Sequence, residues 1–492
     1  MRIHKVLLPL TVIALTAEGC ADLDVTNPNQ RTTDGFWQNE SDAVAAVNAV
    51  YGGLQATGVF GRWLLLIGDA RTDVGTSRSP WTDLQNWTKT VLVTSNFGPN
   101  QEVWSQHYQG IFRANQVIAN VPGIGMDEAR KKRLVAEAKF IRALLYYNLS
   151  LLYANVPVPT EPSRAGDFPE TKAQQDVFAQ VLNDATEAAA DLPLSYAGND
   201  RGRATRGAAL ALVGQIQLQQ RNWSEAAATF EQVLALNQYE LVSDYAENFT
   251  VQGDNNAESV FEVQFGGPSV LAAGTRGLNI AKLVGPPTIG FTDVQPTEWL
   301  FQQYFAETGQ ADPRLDPTVF WNQPGGMDVY GEPFAQRYPD GFKETGIDKT
   351  YFWKKWGEYW LSFQDWDAAI NYKVIRYADI LLNLAEALNE AGRTAEAAGP
   401  LNQVRARVDL LPVSSSLSQA EMRERIEHEY LMEFGWENRR LPYLLRHDRF
   451  KKDTLLPHDP DFFFFVDGKS EYLPIPQSEI DLNPNARQNP GW

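Results

Sequence analysis

Apolar residues recur at helical spacing along much of the chain. Between about Arg133 and Tyr153, Leu134, Ala138, Ile141, Leu145, Leu149 and Leu152 fall on one face, which predicts a long helix with that face in the core. Val156-Pro157-Val158-Pro159 ends it, because each proline disfavours helix at the residue before it. A second stripe, Tyr377, Ile380, Leu381, Leu384, Ala385 and Leu388, predicts another core-facing helix. Weaker periodicity covers Ser41 to Gln55, Val103 to Val121 and Ala173 to Leu192, the first with Ser41 as its N-cap. Two helical hairpins share an internal pattern. Gly214, Ala226 and Phe230 are spaced by 12 and 4 around the turn Arg221-Asn222-Trp223, and Ala385, Ala397 and Leu401 repeat those offsets around Ala391-Gly392-Arg393. These are the small, small and large positions of a tetratricopeptide-type repeat, where small residues let two helices approach and the large one fills the groove.

Between these blocks the texture changes. Ser259 to Phe265 alternates as a strand, and Val270 to Phe291 is rich in Gly and Pro. Trp299 to Trp366 is long and irregular, and it holds six of the 14 Trp and five of the 18 Tyr among Gly, Pro and Asp. A loop of that length in a compact protein is either disordered or functional, and its aromatic density argues against disorder. The expected fold is mainly α: a helical-hairpin scaffold at about 40–250 and 370–450, carrying irregular ligand-binding segments at about 56–100 and 255–370.

The N-terminus adds a location. Arg2 and Lys5 precede a short apolar run from Val6 to Ala17, so residues 1–19 read as a signal peptide. Cys20, the only cysteine, follows Gly19 and reads as a lipid-attachment site that gives an otherwise unpaired exported thiol a use. Ala17 and Glu18 depart from the usual lipobox residues, and Ala17 with Gly19 also suits ordinary signal-peptide cleavage. No stretch after residue 20 is expected to be apolar for long enough to cross a membrane. The net charge of -18 disfavours nucleic acid as a partner, because an acidic surface repels phosphate backbones. With no second cysteine, the mature chain relies on packing rather than disulfides.

Catalytic signatures are missing from the sequence. His4, His107, His428, His447 and His458 form no spaced ligand cluster, and neither a nucleophile-elbow nor a P-loop motif occurs. Asp254-Asn255-Asn256 begins like a calcium loop but has no Glu at its end, so a turn is expected there, with no metal or cofactor. A glycoside hydrolase would need two carboxyl groups about 5 to 9.5 Å apart. Glu358, Asp365 and Asp367 are candidates, yet a chain with 61 acidic residues always offers some pair. A repeat adaptor that grips a protein tail is the other alternative, but it leaves the aromatic stretch without a use.

Two segments carry the residue types that a soluble polymer ligand requires. The first, Trp63 to Trp87, supplies Asp69, Arg71, Asp73, Arg78, Trp81, Asn86 and Trp87; the second supplies Trp321, Tyr330 and Trp353. Rings stack on the apolar faces of sugars or on peptide side chains, while Asp, Asn and Arg hydrogen-bond hydroxyls or backbone groups. The expectation is that both segments converge on one cleft, with Arg71 and Arg78 able to favour an anionic ligand locally.

Several blocks together resemble the RagB/SusD family of outer-membrane nutrient-binding lipoproteins. They are Cys20-Ala21-Asp22-Leu23-Asp24-Val25 with Asn27-Pro28 and Phe36-Trp37; Ala136-Glu137-Ala138-Lys139-Phe140-Ile141-Arg142-Ala143-Leu144-Leu145-Tyr146-Tyr147 with Tyr153 and Val156-Pro157; and Arg203-Ala204-Thr205-Arg206-Gly207-Ala208-Ala209. Glu258-Ser259-Val260-Phe261-Glu262-Val263-Gln264, Arg376-Tyr377-Ala378-Asp379 with Ala385-Glu386-Ala387, Val404-Arg405, and Leu473-Pro474-Ile475-Pro476 before Asn483-Pro484 extend the likeness to the C-terminus. Phe434-Gly435-Trp436-Glu437-Asn438-Arg439-Arg440 departs from the family's usual glycine-histidine-arginine element, which puts local packing there in question. The resemblance implies four tetratricopeptide-like hairpins and an irregular ligand-binding half. It further implies a lipid-anchored, surface-exposed protein that captures an oligosaccharide or peptide over a SusC-like TonB-dependent transporter, without catalysis.

Overall fold

Helix pairs stack side by side along most of the chain in the computed structural model, which describes residues 33–90, 93–266, 277–339, 351–361 and 366–492. The leader, Cys20, Asn27-Pro28 and Asp365 lie outside the described residues. Helix α1 (Glu40–Leu54) packs on α2 (Gly98–Asn120), α3 (Glu128–Tyr153) on α4 (Gln174–Asp191), α5 (Arg206–Gln219) on α6 (Trp223–Ala235), and α7 (Tyr377–Glu390) on α8 (Thr394–Arg407). Each pair touches the next: α2 meets α3, α4 meets α5, and α6 meets α7. The row is therefore continuous in space although some 140 residues separate α6 from α7 in sequence. The final helix of the scaffold, α9 (Gln419–Phe434), packs across α7 and α8.

The repeat positions behave as their sizes require. A Cβ placed on Gly214 would sit 2.6 Å from the Phe230 ring, so the small residue is what lets α5 and α6 close on that ring. Ala385, Ala397 and Leu401 are fully buried in the α7–α8 pair. The six residues of the α3 stripe are buried, as are those of α7 except the half-buried Tyr377.

Two sequence readings of α1 need correction. Its N-cap is Asn39, whose side chain accepts from the backbone of Ser41 and Asp42 while Asp42 bonds back to Asn39; Ser41 lies inside the first turn. The stretch Glu40–Gly61 is also long and apolar enough, by composition, to cross a membrane. Here it leaves α-helical geometry near Val59 and buries Val47, Val50 and Leu54, with α1 set against α2.

Short strands tie the inserted region to the scaffold. β1 (Gly75–Ser77) pairs antiparallel with β3 (Val294–Pro296), Gly75 opposite Pro296, and β2 (Ser259–Val263) pairs with β4 (Tyr372–Arg376), Tyr372 opposite Val263. Within the stretch expected to be irregular, Glu298–Ala306 is a helix capped by Thr297, and Val319–Phe320 pairs with Phe352–Trp353.

Buried ions lock the inserted region onto α9. The Arg376 guanidinium bonds Glu258 at 2.7 Å, Glu437 at 2.8 Å and the carboxylate of Glu433; Arg314 bonds Asp312, Glu429 and Glu433. All of these ionic side chains are buried, so each charge depends on its partners for solvation. Burial alone would raise the Glu433 carboxyl, but Arg407, Arg376 and Arg314 hold it well below the ordinary range. The unusual 434–440 element is firmly packed: Trp436 stacks on Trp353 with centroids 4.7 Å apart, Arg439 pairs with Asp379, and Arg440 pairs with Asp73 at 2.7 Å.

Candidate ligand-binding face

Most residues chosen from the sequence turn out to be interior supports. Asp73 is fully buried between Arg440 and His458, which lies 2.8 Å away. Asp69 accepts from the Asn438 backbone at 2.8 Å, and burial pushes its carboxyl up to about 7. Arg71 is fully buried, with Nε donated to Thr90 and Nη2 to the carbonyls of Ser470 and Glu471, so it has no surface with which to join Arg78 in attracting an anionic ligand. Burial lowers its guanidinium to about 10. Trp87 is buried and bonds Asn100; Trp353 is buried under Trp436; Tyr330 belongs to a small core with Phe320, Phe334 and Phe352. These six side chains have almost no surface for a ligand to touch, because the hydrophobic and ionic contacts around them consume it.

Four others keep accessible surface. Arg78 pairs with Asp461 at 2.5 Å, Asn86 is half-buried, and Trp321 is half-buried with its indole N–H donated to Asp316 at 2.9 Å. Trp81 is 44% exposed and packs edge-on against Phe97, with centroids 5.0 Å apart.

Trp81 belongs to an aromatic surface assembled from both segments. Its ring meets Trp63, whose indole N–H is held by Glu102 at 3.1 Å. The Arg62 guanidinium lies 5.3 Å from the Trp63 ring and 4.9 Å from that of Trp366, and Trp366 in turn meets Phe291 at 5.5 Å. Trp366 is 38% exposed and Phe291 55%. The sequence 81–63–62–366–291 thus runs across the boundary between segments as one contact chain, with Arg62 as the bridge. Asn279 fixes the bridge. It accepts from Arg62 at 3.1 Å, donates to Asp367 at 3.0 Å and to the Trp366 carbonyl at 2.8 Å, and its backbone N–H reaches the Gly61 carbonyl. Burial lowers the Arg62 guanidinium's affinity for its proton, while Glu102 and Asp367 counteract that. Exposed rings around a held guanidinium and a half-exposed amide can stack on apolar sugar faces and hydrogen-bond hydroxyls.

Sequence reasoning missed Arg62, Asn279, Phe291 and Trp366. A usable signal was the polarity of each ring's neighbours. Trp366 stands between Asp365 and Asp367, and Trp81 between Ser79-Pro80 and Thr82-Asp83, whereas Trp353 follows Tyr351-Phe352 and continues an apolar run into the core. Of the hydrolase candidates, Asp367 is committed to Asn279 and the Gly277 N–H. Asp254-Asn255-Asn256 forms a turn with Asn255 in the left-handed region (φ 54°), and among the described residues no group of acids, His or Cys is arranged to hold a metal.

Comparison with known proteins agrees with this architecture. Residues 257–492 match the SusD family model, and residues 23–218 match a model described as starch-binding associating with outer membrane. The chain is 26% identical to SusD-like protein P2 of Formosa agariphila, over 99% of this chain and all of that one. A SusD superfamily protein from Bacteroides vulgatus superposes with a TM-score of 0.82 at 26% identity, covering 93% of this chain and 100% of its own. A laminarin-binding SusD-like protein superposes at 0.76 with 28% identity, again over 93% and 100%. Two family models that between them span both halves of the molecule, and relatives that match it nearly end to end, place one conclusion on the mainly helical fold: the chain belongs to the SusD/RagB family.

Proposed function

We propose that this protein captures a neutral glycan fragment at the Trp81–Trp366 face and passes it, chemically unchanged, to a SusC-like TonB-dependent transporter. The observation that carries the reading is the set of exposed rings Trp81, Phe291 and Trp366, gathered around Arg62 from two segments distant in sequence. A matching family model described as starch-binding and a similar protein described as laminarin-binding support a glycan over a peptide. Cys20 supplies the tether in this account. A single acyl chain holds a protein only marginally, so two or more are required for stable residence at the outer membrane. Cys20→Ala should move the protein into the soluble fraction and abolish labelling by a palmitate analogue.

Binding without turnover is the central element of this reading. Purified protein incubated with laminarin, starch and their oligosaccharides should bind at least one and return it intact. The acid to watch is Asp293, whose carboxyl is raised by burial, which lies two residues from Phe291 and whose carbonyl accepts from Ser77. Ligand-dependent product that disappears in Asp293→Asn would replace this reading with a hydrolase. Capture of peptides alone would replace the glycan. Gentle detergent extraction should also recover a large outer-membrane β-barrel with the protein.

A further inference from the structure

A wide groove runs along α2 and shares no lining residue with the Trp81–Trp366 face. It encloses 680 Å³, within the range of ordinary ligand sites. Phe112 (41% exposed) and Phe168 (47% exposed) stand on its walls, Trp104 and Tyr108 contribute to its lining, and Asp167 and Glu479 bring carboxylates into it.

The walls are built in advance. Tyr108 donates to the Pro157 carbonyl at 2.7 Å, and Asn115 donates to the carbonyls of Pro159 and Glu161 at 3.0 Å, which fixes the proline-rich segment after α3 against α2. On the far side Asn483 donates to the Pro169 carbonyl and Asn485 to that of Phe168, which ties the same segment to the C-terminal chain. A ligand therefore meets a shaped groove and pays little to order it.

Helix α2 also connects the groove to the first face. Phe97, the residue before its first turn, packs under Trp81, and Trp104 and Tyr108 follow at spacings of 7 and 11, so all three lie near one side of the helix. The rise from Phe97 to Phe112 is about 22 Å.

We infer that this groove is a second binding site for the same neutral polysaccharide, taking a stretch of chain beyond the part held at Trp81 and Trp366. The inference rests on the function proposed above. Two rings offer stacking faces, and two carboxylates accept from hydroxyls, while the only guanidinium in the lining is that of Arg113. That balance, on a chain of net charge -18, suits an uncharged hydroxyl-rich polymer better than an anionic one.

The test uses the full chain, with laminarin and starch as polymers and laminaritriose and maltotriose as short probes. In the double variant Phe112→Ser/Phe168→Ser, affinity for the bound polymer should fall about tenfold or more while trisaccharide affinity and melting temperature stay at wild-type values. Phe112→Tyr/Phe168→Tyr, which keeps both rings, should restore polymer binding. Unchanged polymer affinity in the serine variant overturns the second site and leaves the first untouched. Loss of co-purifying barrel with glycan binding intact reassigns the groove to a protein partner and also overturns it. Failure of the wild type to bind either polymer defeats the proposed function, and this site with it.

Discussion

A tryptophan's neighbours decide what its loss will cost. Trp353 is buried against Trp436, so Trp353→Ala should lower stability by about 3 to 5 kcal/mol, read as a large drop in denaturant midpoint. Asp69 makes a different residue-scale prediction. Its carboxyl sits at about 7 in the folded protein against an ordinary 3.8, because burial removes water from the charge faster than Arg439, Lys355 and the Asn438 N–H compensate. Between about pH 3.8 and pH 7 the folded state keeps a proton that the unfolded state releases, so this residue makes stability fall as pH rises through that window. Asp69→Asn preserves an acceptor for Asn438 and removes the charge. Denaturant titrations of the variant should give a flatter pH profile over that range and greater stability above pH 7 than the wild type. An unaltered slope would show that Asp69 is ionised without penalty.

Close helix contacts make the hairpins sensitive to single methyl groups. Gly214→Ala places a Cβ where the Phe230 ring now lies, 2.6 Å away, and should cost about 1 to 3 kcal/mol through overpacking. Combining it with Phe230→Leu should recover part of the loss, because the smaller side chain vacates the contact; two losses that simply add would rule out the steric account. These helices were legible in the sequence because burial imposes a 3.6-residue period over many turns, as in the α3 stripe from Leu134 to Leu152. The short pairings were not. Strands of two or three residues, such as β1 and Phe352–Trp353, are too brief for a period, and their partners are set by long-range packing. The helix Glu298–Ala306 was hidden among aromatics that point both inward and outward: Leu300 and Tyr304 are buried, Trp299 and Phe301 only partly.

At the scale of the molecule, a row of paired helices holds a polar, aromatic-rich insertion in place through strands and buried ions. Family membership and a mainly helical scaffold could be read from ordered blocks spread along the chain. The individual contact residues could not, since Arg71 and Asp73 have the same residue types whether they greet a ligand or, as here, bond Thr90 and Arg440 in the interior. Arg62 acquires its role only when folding sets it between Trp63 and Trp366. The most direct test of the account is calorimetric titration of the wild type and of Trp81→Ala/Trp366→Ala with the polysaccharide the wild type binds, alongside their melting temperatures. The account predicts that the variant loses at least tenfold in affinity while melting within a few degrees of the wild type. Wild-type affinity in the folded variant would contradict it.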